Sequence, residues 1–270
     1  MADGWSLPAL TQALAAAGCV AAEEEAEELL VAAQGTGDLD AMVARRLTGE
    51  PIAWITGRTR FCGLDLAVAP GVYVPRWQSE PLARRAAELL PPAGVGVDLC
   101  TGSGAIGVVM QSRRPQATIV GTEIDPIAAA CARANGLVVY DGFLDDPLPA
   151  TLASRVDVMA GVLPYVPREA MAFLPRDVLH FEPRRALDGG AGGLQLVSAT
   201  VLRSRRWLAP GGWLLLEVGS DQIDEVAGLF RDASLGEVGC WQDDDDDRRG
   251  VAGRQPDGTA TAVDAVAPPG

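Results

Sequence analysis

Asp98-Leu99-Cys100-Thr101-Gly102-Ser103-Gly104 follows an apolar run, Val95 to Leu99, and precedes Ala105 to Arg113, whose spacing predicts a helix. A Gly-rich turn between a strand and a helix lets the backbone approach a ligand closely and presents free N–H groups at the helix start. Alone, such a turn is weak evidence, because Gly-x-Gly turns serve many ligands. This one lacks the Gly-x-Gly-x-x-Gly spacing of a dinucleotide fingerprint and the Lys of a phosphate loop. Glu123 ends the next predicted strand, Thr118 to Thr122, where a carboxylate can accept both ribose hydroxyls of a nucleoside. Asp141-Gly142 follows a third short strand, Val138 to Tyr140, where an acid can accept an adenine amino group. These features leave an adenosine-type ligand.

Outward from this loop the chain alternates helix and strand. Ser79 to Leu90, Pro126 to Ala134, Leu194 to Leu208 and Gln222 to Ala233 read as helices, and Val156 to Gly161 and Trp213 to Val218 as strands, with Pro210-Gly211-Gly212 as a turn. That order predicts an α/β fold with a mostly parallel sheet covered on both faces. Before it, apolar residues at helical spacing predict helices over 5 to about 47, and Phe61 to Val74 predicts a β-hairpin with Gly63 and Pro70-Gly71 as turn signals. The expected layout is a helical N-terminal domain over 1–48, a linker with a hairpin over 49–75, a ligand-binding domain over 76–250, and a disordered Gly-, Ala- and Pro-rich tail over 251–270.

The 270 residues and 48% hydrophobic content suffice for a large core. A net charge of −14 argues against a nucleic-acid partner, although much of the acid is local, in Glu23 to Glu28 and Asp243 to Asp247, and reads as solvated surface. All 22 basic side chains are Arg. Five scattered cysteines and a single His exclude the usual zinc spacings, so no metal is expected. With neither a leader pattern nor a long apolar run, the expectation is a reduced, cytoplasmic, soluble protein without a membrane partner. Its oligomeric state is open.

The loop, taken with Gly49-Glu50-Pro51-Ile52-Ala53-Trp54-Ile55-Thr56-Gly57, Val74-Pro75-Arg76-Trp77-Gln78-Ser79-Glu80, Val162-Leu163-Pro164-Tyr165 and Phe181-Glu182-Pro183 before Ala186-Leu187, resembles the HemK/PrmC family of S-adenosylmethionine-dependent methyltransferases. The resemblance runs from 49 to about 218. It implies a class I methyltransferase fold, a Rossmann-like, mostly parallel seven-stranded sheet behind a small N-terminal helical domain. It implies S-adenosyl-L-methionine as cofactor, held by Asp98, Cys100, Thr101, Gly102, Gly104, Glu123, Ile124, Asp141, Gly142 and Val162. Cys100 stands where the family has the first Gly of its loop, and Trp77 where it has a second Pro.

The family's Asn-Pro-Pro-Tyr uses the Asn side chain to hold the amide nitrogen of a glutamine. Here Val162 takes the Asn position and Leu163 that of the first Pro. Removing such a transition-state hydrogen bond costs about 3–4 kcal/mol if the acceptor is still an amide. Two acceptors therefore stand open. One is a small aromatic or heteroaromatic molecule, indole-like, methylated at carbon, nitrogen or oxygen in secondary metabolism. The other is a glutamine in a release-factor-like protein. A cofactor-binding protein without turnover is a third reading. Candidate catalytic residues are Pro164, Tyr165, His180 and Glu182; candidate substrate-binding residues are Trp54, Tyr73, Arg76, Trp77 and Phe173. The aromatic residues also suit plain core packing. His180, as a base, would suit an acceptor that loses a proton, and equally reads as a loop residue.

Overall fold

The structure is a computed structural model that describes residues 5–257. Its N-terminal part is three helices, α1 (Leu7–Ala16), α2 (Ala22–Ala32) and α3 (Thr36–Leu47). The Ser6 hydroxyl accepts from the Ala9 N–H at 3.4 Å and so caps α1. Leu10, Leu14, Ala26, Leu29, Met42 and Val43 form a separate apolar cluster that Ile55 joins. The Glu-rich stretch is not wholly solvated. Arg46 bridges Glu25 at 2.6 Å, and the Thr56 hydroxyl donates to Glu28 at 2.8 Å.

The linker differs from its expectation. Ile52–Thr56 is a short helix, α4, because Ala53, Trp54 and Ile55 are all buried. The hairpin is β1 (Arg58–Phe61) paired with β2 (Leu64–Ala67), centred nearer the N-terminus than the alternation implied. Cys62 and Gly63 both have positive φ, 49° and 79°, which the twist of a two-residue hairpin turn requires. Val68, Val72 and Val74 are buried against Trp54 without a strand partner, which explains their strand-like pattern.

The rest is one sheet of seven strands in the order β5-β4-β3-β6-β7-β9-β8. The strands are β3 (Val95–Leu99), β4 (Thr118–Glu123), β5 (Val138–Asp141), β6 (Val156–Gly161), β7 (Leu208–Glu217), β8 (Gly236–Gln242) and β9 (Arg248–Arg254). β3 to β7 are mutually parallel, and β9 inserts antiparallel between β7 and β8. Helices α5 (Glu80–Leu89), α6 (Ala105–Arg113), α7 (Pro126–Ala134), α8 (Arg176–Phe181), α9 (Gln195–Ser204) and α10 (Ile223–Asp232) complete the chain. Two apolar clusters form, one including Leu82, Ala86 and Met110, the other Val197, Trp207 and Phe230. This strand order, with its single reversed strand, is the class I methyltransferase architecture. Among the described residues no helix is long and apolar enough to cross a membrane.

Three local expectations are overturned. Pro210 to Gly212 lie inside β7, where the register against β6 shifts between Val156 and Val158, so the strand starts at Leu208 rather than Trp213. The acidic run is the turn of the β8–β9 hairpin, and Asp243 is buried there. It accepts from the Asp245 and Asp247 N–H groups at 3.0 Å and bridges Arg249. The tail from 251 is not disordered through Arg254: Val251 and Ala252 are buried in β9, and residues 258–270 lie outside the described residues.

Small residues in β9 are a packing requirement that hides this strand. A Cβ on Gly250 would meet the Trp241 ring at 2.2 Å and the Leu216 carbonyl oxygen at 2.4 Å. Gly250→Ala therefore overpacks the sheet and is expected to lower stability by about 1–3 kcal/mol in denaturant unfolding; an unchanged midpoint would disprove that packing.

Candidate active site

The parallel strands end on one edge. Leu99 is level with Thr122 and Gly161, Glu123 with Asp141, and Gly161 with Leu216. The order in which parallel strands are added reverses at β3, since β4 and β5 lie on one side and β6 and β7 on the other. Parallel α/β sheets bind ligands at such a switch point, because the loops leaving the two strands part there. A cavity of about 550 Å³ opens at that point.

One side is built from the 98–104 loop. Asp98 is buried, and its Oδ2 accepts from the Thr101 hydroxyl at 2.5 Å and from the Gly107 N–H at 2.8 Å. Burial pushes its carboxyl up to about 7, although the Thr101 and Gly107 hydrogen bonds hold it down. Gly102 and Gly104 have φ of 58° and 88°, open to Gly without steric cost. Cys100 adopts φ of 51°, a left-handed conformation that costs an L side chain about 1–2 kcal/mol. Burial, with Glu123 and Asp98 nearby, drives its thiol well above the ordinary range, so it presents a neutral wall.

Glu123 accepts from three backbone N–H groups: Gly102 on Oε2, and Ile124 and Asp125 on Oε1, each at 2.9 Å. Two carboxylate oxygens offer about four lone-pair positions, so capacity remains for a hydroxyl donor. Ile124, Gly142 and Phe143 extend this wall, with Ile124 and Phe143 exposed. The residues suit an adenosine with a charged tail: a flat apolar cleft, a carboxylate at the end of β4, and a second at the end of β3.

The other side is Val162, Leu163, Pro164 and Tyr165, faced by Tyr73, Arg76 and Ser79. Val162 also packs against the α5–α6 cluster, so its side chain belongs partly to the core. Arg76 forms an ion pair with buried Glu182, and its guanidinium lies 5.3 Å from the Tyr73 ring centre. The Tyr165 hydroxyl donates to Glu217 Oε1 at 3.3 Å. Leu174, Val178, Pro183 and Leu187, from the segment that crosses this end, complete the lining.

Of the residues expected from sequence, Asp98, Cys100, Thr101, Gly102, Glu123, Ile124, Gly142, Val162, Pro164, Tyr165, Tyr73 and Arg76 line this one cavity. Seven do not. Gly104 starts α6 and packs on Ala132. Asp141 turns outward to bridge Arg133 at 2.6 Å. Trp54 is buried in the linker, its indole N–H donating to the Val72 carbonyl at 2.8 Å and its ring edge-on to Phe181. Trp77 and Phe173 are exposed. Glu182 lies outside the lining and forms an ion pair with Arg76, which lines it. His180 is exposed and borders a separate hollow between α8 and the N-terminal helices, which removes it as a base in this cavity.

Sequence reasoning missed Ser79, Phe61, Phe143 and Glu217. Glu217 closes an apolar strand, Trp213 to Leu216, and a lone carboxylate at a strand end is the signal that singled out Glu123.

No protein-family model matches the chain. Among curated proteins, a release factor glutamine methyltransferase from Geobacter sulfurreducens is 36% identical over 219 residues, 79% of this chain and 76% of that protein. A 4-amino-L-phenylalanine/4-methylamino-L-phenylalanine methyltransferase from Streptomyces pristinaespiralis is 35% identical over 253 residues, 84% of this chain and 86% of that protein. Of solved structures, a ribosomal protein L11 methylase from Lactobacillus delbrueckii subsp. bulgaricus matches with a TM-score of 0.49 at 12% identity, over 70% of this chain and 84% of that one. The 36% and 35% identity of the two curated relatives over most of both lengths, on a class I fold, shows that the chain belongs to the HemK/PrmC family and is an S-adenosylmethionine-dependent methyltransferase.

Proposed function

We propose that the enzyme methylates a small aromatic acceptor, an aromatic amine or indole-type ring, in the half of the cavity bounded by Val162 to Tyr165. One observation carries this reading: the side chain that would polarise an amide is replaced by Val162, which packs into the core. Leu163, Pro164, Tyr73 and Tyr165 make the surrounding wall apolar and aromatic, the chemistry that holds a flat ring. An electron-rich aromatic nitrogen or carbon needs proximity and alignment to the methyl group more than polarisation. The Streptomyces pristinaespiralis relative, whose name gives a free aromatic amino acid as acceptor, supports the same reading.

The cofactor supplies an electrophilic methyl group on a sulfonium. In this reading Glu123 receives the ribose hydroxyls, Ile124 and Phe143 flank the adenine, and Asp98 faces the cationic tail. The backbone carbonyls at 162 and 163 and the Tyr165 ring orient the acceptor. A second reading, glutamine in a protein, is supported by the name of the Geobacter relative.

Incubation with methyl-labelled cofactor and either 4-amino-L-phenylalanine, indole or a Gly-Gly-Gln-containing protein separates the two. Label on an aromatic compound is expected; label on the protein glutamine alone overturns the aromatic reading. Val162→Asn places an unpaired amide in the apolar wall, a cost of about 1–3 kcal/mol, and is expected to cut kcat/KM for the aromatic acceptor about tenfold or more. If glutamine is the acceptor, the same variant gains activity instead.

Asp98 gives a pH prediction. Its raised value means the ligand-free protein holds the neutral acid below about 7, a stabilisation fully present below the ordinary carboxylate range and lost as pH rises through about 7. A cationic ligand favours the charged form. Cofactor affinity should therefore strengthen as pH rises through about 7, with proton release on binding, and then level off. Calorimetry across that range should show this inflection in the parent enzyme and none in Asp98→Asn.

A further inference from the structure

Two hydroxyls on the acceptor side, those of Ser79 and Tyr165, belong to residues that line the cavity and bear on one carboxylate behind its wall. That carboxylate is Glu217, the last residue of β7, 4% exposed. Tyr165 donates to its Oε1 at 3.3 Å, while Oε2 is buried without a hydrogen-bond partner. Among the described residues no cation bridges Glu217. Arg249, on the adjacent β9, is committed to Asp243 and Asp247. A buried acid is costly unless its oxygens are partnered, and here one of the two has no hydrogen-bond partner.

We propose that Glu217 takes up, through the Tyr165 hydroxyl, the proton that the acceptor loses on methylation. The acceptor nitrogen uses its lone pair to form the N–C bond, while the C–S bond breaks with its electrons going to sulfur. The methylated nitrogen, now cationic, gives one proton to the Tyr165 oxygen as Tyr165 passes its own to Glu217. Tyr165 ends neutral, Glu217 ends as the carboxylic acid, and the product amine is neutral; for a ring carbon the proton released from carbon follows the same route. Because Tyr165 already donates toward Glu217, its oxygen lone pairs are left for an acceptor N–H, the role that the Asn carbonyl oxygen loses when Val162 replaces it.

The electrostatics agree. Burial raises the Glu217 carboxyl to about 7, with Asp243 adding to the rise and Ser79, Tyr165 and Arg249 opposing it. Tyr73 is the remaining titratable neighbour, and burial raises its phenol, so it stays neutral. A carboxyl poised near neutrality both accepts the proton and returns it to solvent. Tyr165, raised strongly by burial and by the Glu217 charge, does not ionise and acts only as a bridge.

The proposal rests on the cavity being the methyl-transfer site, though not on which acceptor occupies it. Its test uses whichever probe, 4-amino-L-phenylalanine or the Gly-Gly-Gln protein, takes up label in the preceding experiment. Failure of the aromatic reading therefore leaves this test intact. In the parent enzyme kcat should rise with pH through about 7 and then plateau, because the charged carboxylate is the working form. Glu217→Gln should lower the plateau kcat about 100-fold and abolish the inflection, with KM for the cofactor unchanged. Tyr165→Phe, which keeps the ring, should do the same, and Glu217→Asp should restore part of the rate with an inflection. A Glu217→Gln enzyme with the parental pH profile, or one that loses thermal stability alone, would overturn the relay.

Discussion

The buried carboxylate of Asp98 ties the end of β3 to the start of α6. Through one oxygen it holds the Thr101 hydroxyl and the Gly107 N–H, so the loop between them cannot open without stranding a charge or a donor. Glu123 does the same from the next strand, gathering the N–H groups of Gly102, Ile124 and Asp125. The two acids thus act first as architecture. They turn a Gly-bearing turn into a fixed wall at the point where the strand order switches. In the proposed reading, their polarity toward a cationic nucleoside is a second use of the same atoms.

The acceptor side is held by a different kind of contact. The ion pair between Arg76 and Glu182, the Trp54 indole on the Val72 carbonyl, and the edge-on contact of Trp54 with Phe181 join the linker to the segment after β6. Residues that look like a substrate cage in the sequence are therefore the frame around it. Tyr73 and Tyr165 remain at the wall, and Leu163 and Val162 close it with aliphatic carbon. The donor half of the site is polar and tightly bonded, whereas the acceptor half is apolar and bounded by packing. That division suits the proposed ligands, a charged cofactor and an acceptor chosen by shape.

Elements with strong local signals were legible. α6 and α7 were placed at their observed bounds, since Gly104 and Asp125-Pro126 mark their starts. The ends of β3 and β4 were legible because each short apolar run stops at a polar or Gly-bearing turn, and that of β6 because it runs into the motif from Val162 to Tyr165. β8 and β9 were not legible. Their alternation is diluted by Gly236, Gly239, Gly250 and Gly253, and the small size is imposed at Gly250 and Gly253 by Trp241 and Phe230, distant in sequence or on another element. The hairpin was displaced for a related reason, as Val68 to Val74 are buried under Trp54 rather than paired in a strand.

By itself the sequence determined most of the helix–strand alternation before β8, the Gly-bearing loop with its two carboxylates, and the Val at 162 in place of the family's Asn. These are local facts: a turn, a strand end and a substitution within a motif. Only the tertiary structure decided which polar and aromatic residues share the cavity. It sent Asp141 to Arg133, left His180, Trp77 and Phe173 at the surface, buried Trp54 in the linker, and set Glu217 behind Tyr165. The reason is physical. Which way a side chain faces at the end of a strand or on a connecting segment depends on partners brought together by the fold, from Arg133, near in sequence to Asp141, to Glu217, which is distant in sequence from Tyr165.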